Sequence, residues 1–384
     1  MSQLLPHSVP GYIIERPLGE GTAGVVYKAR PTAHSSHPLP SNVAIKVIPR
    51  SKVREAVRRE VALHLTLRHP NIARLYHVAP VNLRTQRHSH STASQLALAL
   101  VMDYASPGDM FNEVASAAAL PAPLLRRRLR HICQALHHLH SNNIVHLDLK
   151  LENVVISNSS TAQLIDFGCA RRIDEHRHPS LPVQVSGTLH YLPPELLDNP
   201  ALPPATSSDA WSLGVLAYTA LSGIYPFNGA RRGFSEEQTD AATRRRIRNA
   251  PPHRIPSHIH VPSDLRTIID GLLDKNPATR ITIPQVIQIL DNSMPLSNNT
   301  VIAPNPCANQ QLPQHKHHLL NRPPSPASCA DADFSDSHCI QSVDEALYVV
   351  DDVQSNRLRQ TQQPTLRHLP SRAHDHIVLV DRAC

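Results

Sequence analysis

Aromatic residues make up only 4% of this 384-residue chain. A core must therefore be built mainly from aliphatic side chains, and a hydrophobic content of 41% is enough to supply one. Apolar runs are short, and none is long enough to cross a bilayer as a helix, so no membrane partner is expected. The N-terminus Met1-Ser2-Gln3-Leu4-Leu5-Pro6 lacks the charged leader and apolar core of a secretion signal. Cys384 stands last, which is not a prenylation box. Six cysteines are scattered without paired spacing, so neither a zinc site nor a disulfide framework is expected. These absences lead to the expectation of a soluble intracellular protein, cytoplasmic, nuclear or both. Length alone allows one large or two ordinary domains.

What is present is unevenly shared. The net charge is +7, but the residues after 295 hold seven Lys/Arg against nine Asp/Glu, so that part is −2 and the rest +9. Two basic clusters stand out, Arg126-Arg127-Arg128 with Arg130 and Arg244-Arg245-Arg246 with Arg248. Each reads as a solvated helix face or as a docking surface for an acidic partner. No aromatic residues interleave them, which speaks against a nucleic-acid partner. Of the 26 histidines, the densest groups are His137-His138 with His140 and His315 with His317-His318; neither has the companions of a structural metal site.

Along the chain, Tyr12-Ile13-Ile14 and Val25-Val26-Tyr27 read as two strands of a hairpin joined by Gly19-Glu20-Gly21-Thr22-Ala23-Gly24. Such a glycine pattern can open a dinucleotide fold, but here a strand follows it rather than a helix, which suits a lid over phosphates. A loop insertion over 31–42 precedes a short strand, Val43 to Val47, carrying Lys46. An ammonium in an apolar strand needs a charged partner. The spacing predicts a helix over 53–67 that offers Glu60 and ends at the break His69-Pro70-Asn71-Ile72. A polar insertion is expected over 81–95 and a buried strand over 96–102. Helices are predicted over 123–141, 207–222, 264–273 and 284–290. From about 296 the chain is rich in Pro, Gln, His and Ser, and a disordered tail is expected. Within it, residues 342–353 mix an apolar run with acids; they can dock on a partner or fold back.

The densest chemistry lies in His146-Leu147-Asp148-Leu149-Lys150-Leu151-Glu152-Asn153, followed by Asp166-Phe167-Gly168. With the glycine turn and Val43-Ala44-Ile45-Lys46, these motifs resemble, in order and spacing, the signature set of the eukaryotic protein serine/threonine kinases. The resemblance runs from about Gly11 to about Leu290. It implies an α+β bilobal fold: a small antiparallel-sheet N-lobe with one main helix over 11–102, a hinge at 103–106, and a larger, mainly helical C-lobe over 107–294. An extension of residues 1–10 and the tail 295–384 flank it.

The resemblance also implies roles. Asp148 is the catalytic base, Lys150 places charge beside the transferring phosphoryl group, and Lys46 holds the ATP phosphates and pairs with Glu60. Asn153 and Asp166 are the Mg2+ ligands. Leu18, Val26 and Ala44 above, with Val155 below, sandwich the purine of ATP. Gly19, Gly21 and Gly24 cover its phosphates, Asp103 and Ala105 belong to the adenine-binding hinge, and Met102 is the gatekeeper. The partners implied are protein substrates. Asp109 and Glu152 match acidic positions that favour basic residues before the acceptor. Glu195 is expected to pair with Arg280. The string from Gly187 to Glu195, with Thr188, looks Aurora-like, and Asp148 to Asn153 looks like the AMP-activated and calmodulin-dependent branch.

Three departures carry expectations. Leu147 stands where the family has an arginine that grips a phosphorylated loop, and Gln184 stands near the place of the phosphorylated threonine, so activation by phosphorylation there is not expected. Ser180 and Ser186 remain as other loop sites. His64 falls where an apolar residue is usual; it reads either as weakening the helix position and inviting an activating partner near the Glu60 helix, or as a tolerated histidine. Two other readings stand beside the kinase: a pseudokinase scaffold acting through partner binding, and a small-molecule kinase of similar fold. Retention of Lys46, Asp148 and Asp166 speaks against the first, and the peptide-docking segment before Glu195 against the second.

Overall fold

In the computed structural model the residues described are 9–20, 24–32, 40–53, 55–84, 94–105, 108–157, 159–173, 189–203 and 205–293. Gly21, the segment with Ser180, Gln184, Ser186, Gly187 and Thr188, and the tail with residues 342–353 lie outside them.

The N-terminal lobe is a five-stranded antiparallel sheet in the order β1-β2-β3-β5-β4. Its strands are β1 (Tyr12–Glu20), β2 (Val25–Pro31), β3 (Val43–Pro49), β4 (Leu75–Arg84) and β5 (Ser94–Asp103). Alternation along β3 sends Val43, Ile45 and Val47 to one face, where they pack with Tyr12, Tyr27 and Val101. The other face meets α1 (Glu55–Thr66), whose Val57, Val61 and Leu65 pack on Ile48, Leu98 and Leu100. The expected polar insertion over 81–95 is shorter than predicted. β4 continues through Arg84 and β5 starts at Ser94, because the two strands pair in unbroken register from His77↔Val101 to Arg84↔Ser94. Backbone hydrogen bonding there overrides polar composition.

The C-terminal lobe begins with β6 (Gly108–Asp109) and α2 (Met110–Ala117), then α3 (Ala122–Ser141). Short strands follow: β7 (Ile144–Val145), β8 (Val154–Ile156), β9 (Ala162–Leu164) and β10 (Arg171–Arg172). The remaining helices are α4 (Pro194–Asp198), α5 (Thr206–Ser222), α6 (Glu236–Asn249), α7 (Ser263–Leu272) and α8 (Ile283–Ser293). From Ser208 to Ser222 α5 is buried on every side, as a helix apolar all round should be. Gly214 permits the packing of α7 on it, since a Cβ there would sit 2.8 Å from Leu272 Cβ. The turn after α1 stitches the lobes together: Asn71 O accepts from Leu164 N at 2.9 Å, and Asn71 Nδ2 donates to Ala162 O at 3.0 Å.

In one basic cluster three of the four arginines are paired across the lobe, while Arg127 stays on the exposed face. Arg126 makes a two-pronged pair with Asp264 at 2.6 and 2.7 Å, Arg128 pairs with Glu113 and donates to Ser160 O, and Arg130 pairs with Asp291. These arginines tie α3 to α2, α7 and α8, which sequence spacing could not reveal.

Candidate active site

Strand register brings one set of predicted residues onto one face of the sheet. Gly19 pairs with Val26, Val26 with Lys46, and Ala44 with Met102. Directly opposed residues share a face, so Gly19, Val26, Ala44, Lys46 and Met102 do too. It is the face α1 covers further along, which is why Glu60 reaches Lys46: Oε1 lies 2.8 Å from Nζ. Both are largely buried. Burial alone would lower the lysine pKa, but Glu60 and Asp166 outweigh it and hold the ammonium charged. Burial pushes the Glu60 carboxyl up, and Lys46 opposes that shift.

The two glycines of the turn that are described differ. Gly19 has open space where a Cβ would stand, as a lid needs. At Gly24 a Cβ would lie 2.1 Å from Val47 O, so this glycine is required by the approach of β3. Leu18 is 39% exposed at the rim. Ala105 is half-buried in the connector after β5, and Val155 is half-buried on β8, opposite Asp109. The Asp103 side chain points to β4, accepting from Arg74 N and the Tyr76 hydroxyl, and its N–H donates to Arg74 O, so only its backbone carbonyl remains for a ligand.

Below the sheet, Asp148 Oδ2 accepts from Lys150 Nζ at 2.8 Å and from Asn153 Nδ2 at 3.0 Å. Asn153 Nδ2 also donates to Asp148 O, which leaves its amide oxygen free to meet a cation. Asp166 lies 3.7 Å from Lys46 and is 46% exposed. Burial would raise its pKa, but Lys46, His146 and the Gly168 N–H hold it below the usual carboxylate value. An ionised carboxylate and an amide oxygen are hard donors that suit Mg2+ bound jointly with phosphates. Among the described residues no cluster of three or more His, Cys, Asp or Glu could hold a metal by itself.

Asp209 lies in the first turn of α5, and its sequence position assigns it no role. Fully buried at the start of α5, it accepts from His146 N and Leu147 N at 2.9 Å each, and from His140 Nε2 at 2.8 Å. Burial would raise its pKa, but His140 and His146 bring it down. These bonds hold Leu147 at φ 62°, while Asp166 sits at φ 63°. A left-handed leucine is strained, and the buried carboxylate fixes it. A carboxylate entering an apolar helix was the signal available, since it needs partners to be buried.

His64 follows the second of its two readings, a histidine tolerated in the packing. It is fully packed, its Nε2 donates to Ala73 O at 2.7 Å, and its ring lies 4.7 Å from that of Phe167. The polarity expected to weaken the helix position is met inside the lobe. Phe167 also contacts the His146 ring at 5.3 Å, so α1, Phe167 and the stretch 146–153 form one column. Glu195 and Arg280 pair as expected, through two bonds of 2.7 and 2.9 Å.

The model of the family described as "Protein kinase domain" matches residues 12–290. The chain is 32% identical over 283 residues to the serine/threonine-protein kinase SRK2E of Arabidopsis thaliana, covering 73% of this chain and 71% of that one. It is 30% identical to an Aurora kinase of Schizosaccharomyces pombe, over 72% of this chain and 69% of the relative. It is 28% identical to the CBL-interacting protein kinase 31 of Oryza sativa subsp. japonica, over 75% of this chain but 59% of that relative, so it spans under two thirds of the latter's length. The chain belongs to the protein kinase family, in its serine/threonine class.

Proposed function

We propose that the protein transfers the γ-phosphoryl group of ATP to serine and threonine hydroxyls of protein substrates. The observation that carries this reading is the closed contact of Lys46, Glu60 and Asp166 above the linked Asp148, Lys150 and Asn153. Phosphoryl transfer needs positioned groups and compensated charge more than covalent participation by the protein. Asp148 orients the acceptor hydroxyl and takes its proton. Lys150, bonded to that carboxylate, places positive charge beside the phosphoryl group as it passes from ADP to the hydroxyl oxygen. Lys46, steered by Glu60, holds the α and β phosphates. Asn153 and Asp166 hold Mg2+, which when bound neutralises phosphate charge. Gly19, Leu18, Val26, Ala44, Met102 and Val155 enclose the nucleotide.

Substrates with basic residues before the acceptor fit this reading. Glu152 Oε2 is buried without a hydrogen-bond partner among the described residues, which suits an incoming cation. Asp109 is already used as the N-cap of α2, accepting from Asn112 N at 2.7 Å, and is the weaker receptor. The name of the rice relative says that it interacts with CBL; for this chain a regulatory partner at α1 belongs to the same reading, since α1 carries Glu60. The test is an ATP–magnesium assay on generic proteins with wild type and Asp166→Asn. Incorporation should fall on the order of 10²–10³-fold in the variant. Equal incorporation in both would remove the enzyme.

A further inference from the structure

The second basic cluster behaves unlike the first. Of its arginines, Arg248 pairs with Asp198 and Leu197 O. Arg245 and Arg246 instead line a cavity of about 410 Å³ between α6 and the segment 228–231, together with Arg231. No carboxylate lines this cavity. Arg246 Nε is buried with no hydrogen-bond partner among the described residues. A second cavity, of about 370 Å³, lies against α7 and is lined by Arg254 and Arg266, with Asp270 as its one acid. Ile255, Val261 and Ile269 give it an apolar floor. His253 lines both cavities. Its Nε2 lies 3.0 Å from Asn228 O, and its carbonyl accepts from Tyr218, so this shared wall is fixed. The result is a groove across α6 and α7 with five arginines against one carboxylate, apolar at its base.

The same chain contains a segment of opposite character. Residues 323–356 hold seven Asp/Glu and no Lys or Arg. Asp344-Glu345 and Asp351-Asp352 bracket Ala346-Leu347-Tyr348-Val349-Val350, an apolar run between acidic pairs. The last described element, α8, packs on α7, which is one wall of the groove. The chain between 293 and 331 spans roughly 130 Å if extended, against a domain diameter of roughly 50 Å. Tethering raises the effective concentration, so a weak contact becomes occupied.

We propose that the acidic segment 331–352 docks on the groove formed by Arg231, Arg245, Arg246, His253, Arg254 and Arg266 of its own chain. Acidic pairs meet the arginines, and Leu347 to Val350 cover the apolar floor. This docking is independent of the catalytic reading above.

The experiment is amide hydrogen exchange on the full chain, comparing wild type with a tail variant carrying Asp344→Asn, Glu345→Gln, Asp351→Asn and Asp352→Asn. In wild type, exchange over 243–270 should be slowed about threefold or more, the factor for a groove occupied two thirds of the time. The difference should vanish near 1 M salt, where charges are screened within about 3 Å. Equal exchange in the two chains at low salt overturns the proposal. A slowing that grows with protein concentration, with a dimer in sedimentation, overturns docking within one chain and assigns the groove to a second copy. As a second arm, Arg245→Glu with Arg246→Glu should abolish the slowing, and adding Asp344→Arg with Glu345→Arg should restore it. Failure of restoration in a variant that melts like wild type counts against the docking.

Discussion

Lys46 Nζ and Glu60 Oε1 stand 2.8 Å apart although strand β3 and helix α1 have no covalent reason to meet there. Lys46→Met should lower phosphate incorporation at least on the order of 10²-fold and should also lower the melting temperature, because the buried Glu60 carboxylate loses its cation. Glu60→Ala leaves the buried ammonium with Asp166 alone, so it should cost both activity and stability. Urea unfolding beside the phosphate assay separates the two, and a Glu60→Ala chain with full activity would deny the pair a role.

Acid should loosen the column through His64. Burial takes its pKa from 6.5 down to about 4, so the unfolded chain binds a proton that the folded chain refuses between those values. Stability from this group is complete above about pH 6.5 and is lost progressively as pH falls toward 4. At pH 5 the loss is on the order of 2 kcal/mol. Urea denaturation of wild type and His64→Leu at pH 7.5 and pH 5 checks it: the extra acid sensitivity should disappear in the variant.

Arg280 is wholly enclosed, its guanidinium shared between Glu195, Ser207 O and the ring of Trp211 5.1 Å away. Arg280→Met should destabilise by about 3–5 kcal/mol, because an uncompensated carboxylate stays behind. Combining it with Glu195→Leu should recover part of that loss. A double-mutant cycle with no coupling would show that the two side chains act separately.

Removal of Asp209 should be felt at the catalytic stretch. Asp209→Ala frees two backbone N–H groups and the His140 ring at once, with an expected cost of about 3–5 kcal/mol. Its lowered pKa means that this stability is present above the unfolded carboxylate value and is lost only as pH falls below it, through the folded one. The acid limb of an unfolding curve should therefore shift in this variant.

Leu147 offers no cation to a loop phosphate; its backbone N–H is given to Asp209. Phosphatase treatment should leave most of the activity intact, measured on the same sample before and after. Loss of most activity, traced to a loop site, would overturn this.

How much was legible depended on distance along the chain. Asp148, Lys150 and Asn153 lie within one short stretch, so their contact could be read directly. Strand alternation puts Ala44 and Lys46 on one face whatever strand lies beside them. Gly24 was legible as part of a turn, but its need for a missing side chain comes from Val47, on another strand. The opposite fates of the two arginine clusters were not legible, because the sequence spacing of Arg126 and Asp264 says nothing about their meeting.

Local order was thus fixed by the sequence itself: the glycine turn, the lysine strand, the catalytic stretch and the capping Ser235 with Gln238 at α6 are short-range patterns. Only the tertiary structure decided which charges are paired, which are buried and which remain free. Those outcomes depend on dielectric and distance, and both are set by parts of the chain that meet only when it folds.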